Sequence, residues 1–251
     1  MSRLTRRQVL PQSAVFLASP LVALAAPPPR QSPPPQKVLV IGAHPGDPEA
    51  GCGGTMARLA DRGDQVVAVY LTRGEGGVTG KSPEQAAAIR SAEAQAACRI
   101  LKARPLFGDQ VDARTEVNAA RYEQFARLVA AERPDVVFTH WPLDDHPDHR
   151  ACASLTYDAW LRARRAFALY FYEVDLGSDT QCFRPTDYVD VADVEPRKRA
   201  ACMAHASQNP AGGFYTRDHE PMLRFRGMEC GRKLAEAFIR HDQGPRWQLP
   251  V

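Results

Sequence analysis

Apolar positions in this chain gather into short runs without alternation, and these are separated by stretches with helical spacing. Lys37 to Ala43 (KVLVIGA), Gln65 to Leu71 (QVVAVYL) and Asp135 to Thr139 (DVVFT) are rich in β-branched residues and read as strands buried on both faces. Between the first two, Met56, Leu59 and Ala60 lie at helical spacing, so Gly51 to Arg62 is expected to be a helix that Gly63 closes. A right-handed βαβ unit follows from that order.

Ser82-Pro83-Glu84-Gln85 has the N-cap serine and first-turn proline that start a helix, here running to about Leu101. Further on, Pro105 to Phe107 is a weak strand, Asn118 to Glu132 a helix, Pro147 to Arg164 a helix and Phe167 to Val174 a strand. Beyond Gly177 the pattern predicts a short strand at Tyr188 to Val191 and helices near Glu195 to Ser207 and His219 to Arg240. The alternation predicts an α/β, Rossmann-like three-layer fold with a mainly parallel sheet. Such sheets bind ligands beyond the carboxyl ends of their strands.

Two short segments bring chemistry to those ends. Ala43-His44-Pro45-Gly46-Asp47-Pro48-Glu49 follows the first strand, and His146-Pro147-Asp148-His149 follows the strand ending at Thr139. His44, Asp47 and His149 supply the mixed nitrogen and carboxylate donors of a catalytic zinc site, in which a bound metal lowers the pKa of water towards about 7. Another divalent metal would suit the same donors. His140 and Asp144 or Asp145 lie on the same loop and are candidates for further ligands or for their orienting partners. Asp148 reads as a carboxylate that fixes an imidazole. A lone histidine after a strand is commonly just hydrogen-bonded; two such motifs, each with a proline setting the turn, point to a site. Gly51-Cys52-Gly53-Gly54 fits neither phosphate-loop spacing, and instead suits close approach of a helix to the sheet.

Length and composition bound the rest. The chain has 251 residues, 27.7 kDa and 44% hydrophobic residues, which suits one medium domain with a real core. Residues 1–25 resemble a twin-arginine export signal, with Thr5-Arg6-Arg7-Gln8-Val9-Leu10, an apolar stretch from Ser13 to Ala26 and a small-x-small site at Ala23-Leu24-Ala25. That stretch is shorter than the roughly 20 residues of a membrane span, and Pro20 interrupts it. The expectation is a periplasmic protein with no stable membrane span. Residues 26–36, with two triple-proline runs, read as a stiff linker, and 37–251 as the domain. Loss of the signal removes Arg3, Arg6 and Arg7 and leaves as many basic as acidic residues, so the full-length net charge of +3 is no sign of nucleic-acid binding. Six cysteines without a C-x-x-C pair are expected mostly as buried thiols.

Taken together, AHPGDPEAGCGGT, LTRGEGG, IRSAE and HPDH, in that order over about Lys37 to Phe171, resemble the PIG-L/LmbE-like zinc de-N-acetylases. The resemblance implies a hydrolase acting on an N-acetylated amino sugar, with a small molecule or glycan as partner. It implies that His44, Asp47 and His149 bind zinc, that His146 polarises or protonates the reacting acyl group with Asp148 tuning it, and that Arg90 contacts substrate, with Arg73 of LTRGEGG a second such arginine. One departure matters. The family usually reads His-Pro-Asp-Asp, the first aspartate being its general base, and here that position is Gly46. Glu49, Asp145 or Asp144 could replace the missing acid, or His146 could do the proton transfer. Otherwise the protein is a non-catalytic zinc-containing carbohydrate-binding protein. A nucleotide-dependent reading rests on fold analogy alone. Specificity is expected in Thr72 to Lys81, in Gly108 to Val117 and after Gly177, with Tyr215 or Trp141 as aromatic candidates for stacking on sugar.

Overall fold

The structure, a computed structural model, describes residues 34–174, 177–209 and 213–250. The segments expected to be an export signal and, for the most part, a proline-rich linker lie outside the described residues. The elements in chain order are β1 (Lys37–Gly42), α1 (Asp47–Arg62), β2 (Gln65–Tyr70), α2 (Pro83–Leu101), β3 (Arg104–Phe107), α3 (Ala119–Glu132), β4 (Val136–His140), α4 (Pro147–Arg162), β5 (Ala168–Tyr172), β6 (Asp187–Asp190), α5 (Glu195–Met203), α6 (Glu220–Cys230) and β7 (Ala235–Arg240). The seven-stranded sheet has the order β3-β2-β1-β4-β5-β7-β6. β1 pairs in parallel with β2 and β4, β2 with β3, and β4 with β5; β7 runs antiparallel to both β5 and β6.

Successive β1 side chains feed opposite layers, as the two-residue strand period requires. Val38 and Val40 pack with Met56 and Leu59 of α1, Ala94 of α2 and Leu223 of α6, whereas Leu39 and Ile41 pack with Phe125 of α3 and Leu155 and Trp160 of α4. The strand order reverses between β1 and β4, which opens a crevice at their carboxyl ends. Register puts Ile41 opposite Thr139, so the two chemistry-bearing loops leave the sheet side by side.

The expected elements are present with two corrections. α1 starts at Asp47, not Gly51, with a proline in its first turn. The long C-terminal helix expected over 219–240 is instead α6 followed by β7. Gly231, left-handed at φ 70, ends the helix, and β7 fills the slot between β5 and β6, where packing overrides helix propensity. Among the described residues no disulfide forms, and Cys52, Cys98, Cys152 and Cys202 are buried as thiols.

α1 comes very close to its neighbours because it is glycine-rich there. A Cβ on Gly51 would collide with the Tyr172 ring, and one on Gly54 would lie 2.5 Å from Val191. Glu236 of β7 reaches into α1 and accepts from Gly54 and Thr55 N–H (both 2.7 Å), and Lys198 of α5 pairs with Glu236 and donates to the Ala50 carbonyl (both 2.6 Å). This buried, fully bonded pair holds the helix that begins with Asp47. Gly51→Ala is expected to lower stability by about 1–3 kcal/mol through overpacking against Tyr172. A denaturant midpoint equal to that of the parent would contradict this account of the close approach.

Candidate active site

The crevice at the β1/β4 switch point is a cavity of about 420 Å³. His44, Gly46 and Asp47 from the β1 loop and start of α1, His146 and His149 from the start of α4, and Arg90 from α2 all line it. So do Gly76, Gly77, Asp112, Ala113 and Asp179, from the three regions expected to set specificity, together with His205, Gln208, Phe214 and His219.

Asp47 is the hub. Its Oδ2 lies 3.4 Å from His44 Nδ1, 3.5 Å from His149 Nε2 and 3.0 Å from His140 Nε2. Burial would raise the pKa of this carboxyl, but His149, His140 and His44 outweigh burial and hold it well below the usual range. His44 Nε2 lies 3.2 Å from Asp148 Oδ2 and 3.2 Å from Asp112 Oδ1, and His149 Nδ1 lies 3.1 Å from Asp144 Oδ1. With these nitrogens carrying the protons, the lone pairs of His44 Nδ1 and His149 Nε2 are left on the side of Asp47.

The distances from Asp47 Oδ2 suit a divalent metal. Ligands of a tetrahedral zinc with bonds near 2.0–2.1 Å sit about 3.3–3.5 Å apart, as these atoms do from Asp47 Oδ2. Two lone pairs facing a carboxylate oxygen need positive charge. Accordingly, the carboxylates around His44 and His149 overcome burial and raise the pKa of both imidazoles, His44's far above its ordinary value. Three overlapping sets have all their donor atoms within 4.8 Å of one another: His44, His146 and His149; Asp47, His140 and His149; and His44, Asp112 and Asp148. The trio expected from the sequence is not itself one of these sets: His44 and His149 share the first, and Asp47 and His149 the second.

His140, fully buried and stacked on His149 at 4.0 Å between ring centroids, also accepts from Ala43 N–H at 3.1 Å. Burial and the neighbouring His149 lower its pKa to about 4.

The remaining candidates separate clearly. His146 is the N-cap of α4: its Nδ1 accepts from Asp148 N–H at 3.2 Å, so the neutral ring carries its proton on Nε2. Burial and the charge of His149 and His44 lower its pKa. The Asp148 carboxylate does not meet His146. It meets His44 and accepts from Thr115 Oγ1 (2.7 Å) and Ala113 N–H (2.8 Å), and these donors overcome burial to keep it ionised. Asp144 orients His149, as a neighbouring carboxylate should. Asp145 is exposed, with its carboxylate 3.5 Å from Gln181 Nε2, away from the cavity wall.

Glu49 is fully buried behind the wall, where its Oε1 accepts from Tyr70 OH at 2.5 Å. Arg90 is in the wall, donating to the Pro45 carbonyl at 2.7 Å, with its guanidinium in space that a Cβ on Gly74 or Gly77 would fill. Arg73 lies outside the wall, exposed, over the Phe107 ring and 3.3 Å from Ser91 Oγ. Tyr215 is buried and Trp141 donates to the Gln181 carbonyl; the aromatic at the cavity is Phe214.

Gly46 has φ 113, which disfavours any side chain, and a Cβ there would come within 3.9 Å of the His205 ring. His205, His219 and Asp112 carry no motif spacing. Only the polarity of the loop after β3, which opens on the same sheet edge, hints at Asp112.

Several relatives that share this layered sheet are named deacetylases, and they indicate an enzyme of the amidohydrolase type. Residues 39–160 match the family model described as PIG-L, GlcNAc-PI de-N-acetylase. The chain is 30% identical to diacetylchitobiose deacetylase of Thermococcus kodakarensis over 224 residues, 80% of this chain and 81% of the relative. It is also 27% identical to 4-oxalmesaconate hydratase of Pseudomonas putida, over 82% of this chain and 86% of the relative. Among solved structures, N,N'-diacetylchitobiose deacetylase from Pyrococcus horikoshii aligns with TM-score 0.73 and 25% identity, covering 82% of this chain and 84% of that one. The chain belongs to the PIG-L de-N-acetylase family.

Asp144→Asn removes the charge that fixes the His149 tautomer. It is expected to weaken divalent-metal affinity by about 10–100-fold, read by competition with a chromophoric chelator. An unchanged affinity would mean that His149 is not held for a metal by Asp144.

Proposed function

We propose that the protein is a metal-dependent hydrolase that removes the N-acetyl, or a related N-acyl, group from an amino-sugar substrate in the periplasm. The observation that carries this reading is the His44–Asp47–His149 arrangement, with both imidazoles oriented by carboxylates and an open cavity beside them. Zinc or a similar divalent ion bound there would supply Lewis acidity and make water a nucleophile near neutral pH.

The chain's own residues do the rest. His146, kept neutral by burial and by cationic neighbours, offers its Nε2 proton to the oxygen that gains charge or to the departing nitrogen. Arg90 fixes the Pro45 turn and places positive charge on the cavity wall, where a hydroxyl-rich or acidic group would be held. Phe214 and the glycine backbone of Gly76 and Gly77 leave a wall suited to a flat sugar face.

The similarity to a hydratase favours one second reading, addition of water to an unsaturated carboxylate in the same cavity. Metal-loaded protein is expected to release acetate and free amine from N-acetylglucosamine or N,N'-diacetylchitobiose, and to lose that activity on chelation and in His44→Ala or His149→Ala. Water addition to an unsaturated dicarboxylate without amine release would favour the second reading. Stoichiometric metal with sugar binding and no turnover would favour a carbohydrate-binding protein.

A further inference from the structure

The cavity wall lacks a free carboxylate at the place where the family's base would stand, since position 46 is glycine. The acids that touch His44 and His149 are already engaged, and Asp179, further along the wall, accepts from Ser178 Oγ at 3.1 Å. Asp47 faces three imidazoles, Asp112 meets His44 and accepts from Gly76 N–H at 3.0 Å, Asp144 holds His149, and Asp148 accepts from three donors. Beside Gly46 stands His205 instead. It is 3% exposed and lines the cavity, and its Cγ and Cδ2 lie 3.9 Å from where a Cβ on Gly46 would be.

Three buried polar atoms meet here without hydrogen-bond partners among the described residues: His205 Nδ1, His205 Nε2 and Glu49 Oε2. Buried polar atoms are rarely left so, and those that are need a reason. His205 Nε2 and Glu49 Oε2 are 3.6 Å apart, slightly longer than a hydrogen bond, and the other Glu49 oxygen is fixed by Tyr70 OH. The segment carrying His205 is pinned on both sides. Glu93 of α2 accepts from Ser207 N–H and Oγ (both 2.7 Å), and Gln208 donates to the Gly77 carbonyl at 2.9 Å.

Resting on the hydrolase reading above, we propose that His205, backed by Glu49, is the proton acceptor of the reaction and does from α5's end the work of the carboxylate missing at position 46. As the attacking water's oxygen bonds to the acyl carbon, His205 takes one of its protons and Glu49 stabilises the resulting imidazolium. The carbon–nitrogen bond then breaks, the nitrogen receives that proton, and the products are a carboxylic acid and an amine, which become carboxylate and ammonium when the acid's remaining proton passes to the amine. Glu49 never touches substrate; it is a positioning residue. Titratable groups around His205 are Glu49 from α1, His219 from the π-helical turn Tyr215–His219 before α6, Glu93 from α2 and Cys202 on its own segment. Burial lowers the His219 pKa to about 3, so that ring stays neutral while His205 works.

The test compares metal-loaded parent, His205→Gln and Glu49→Gln by kcat against pH on N-acetylglucosamine or diacetylchitobiose, by metal content, and by NMR titration of nitrogen-15-labelled histidine. Loss of the base should lower kcat by about 10²–10⁴-fold in His205→Gln and abolish its acidic limb, with metal content unchanged. Glu49→Gln should keep the limb but move it to lower pH, because the imidazolium loses its counter-charge. In the parent, the His205 nitrogen-15 resonances should follow the kinetic limb, and the two should move together in Glu49→Gln. A His205→Gln enzyme with near-parental kcat and the same limb overturns the proposal. So does a His205 resonance that never titrates in the parent, a result readable even if no variant folds. A parent that releases no amine while His205 still titrates sinks the hydrolase reading and leaves His205 as the cavity's proton acceptor.

Discussion

Everything at this site depends on the parallel pairing of β1 with β4. Because Ile41 and Thr139 stand opposite each other at the point where strand order reverses, His44 and Asp47 leave one strand and His140, His146 and His149 follow the other at the same height. A one-residue slip would turn Leu39 and Ile41 out of their layer and carry these side chains apart. The sheet therefore sets the site's geometry before any side chain makes a polar contact. The glycines of α1 and the Lys198–Glu236 pair extend that control, since they fix the helix whose first residue is Asp47.

Electrostatics at the cavity are arranged in two shells of opposite sign around one oxygen. Asp47 Oδ2 is within 3.5 Å of three imidazole nitrogens, and two of those rings are held from behind by Asp144 and Asp148. Buried charges are costly unless paired and hydrogen-bonded, and here each carboxylate has donors. The raised pKa values of His44 and His149 express the demand for positive charge beside this oxygen. The same crowding explains why none of these acids is spare for proton transfer, and why an imidazole one layer further out takes on importance.

The strands, most helices and the meeting of His44, Asp47 and His149 at one cavity were legible because their signals are local: apolar runs ended by His-x-x-Asp and His-Pro-Asp-His. Their orienting acid Asp144 was legible as a loop neighbour of His149. What was not legible depends on contacts distant in sequence. β7 reads as a continuation of helix until the gap between β5 and β6 is seen. Asp148 was read as the partner of His146, yet its carboxylate points to His44, because the N-cap turn presents its backbone, not its side chain, to His146. Arg73 and Asp145 lie in motif positions but face away from the cavity. His205 lies 159 positions after Gly46 with no spacing to betray it, and only the fold sets one beside the other.

The measurement that tests the account most directly is X-ray absorption at the metal edge of zinc-reconstituted protein. The account predicts a first shell of nitrogen and oxygen only, at about 2.0–2.1 Å, with the outer scattering of two imidazoles from His44 and His149. Sulfur scattering at about 2.3 Å, or a shell lacking imidazole, would place the metal elsewhere and contradict it.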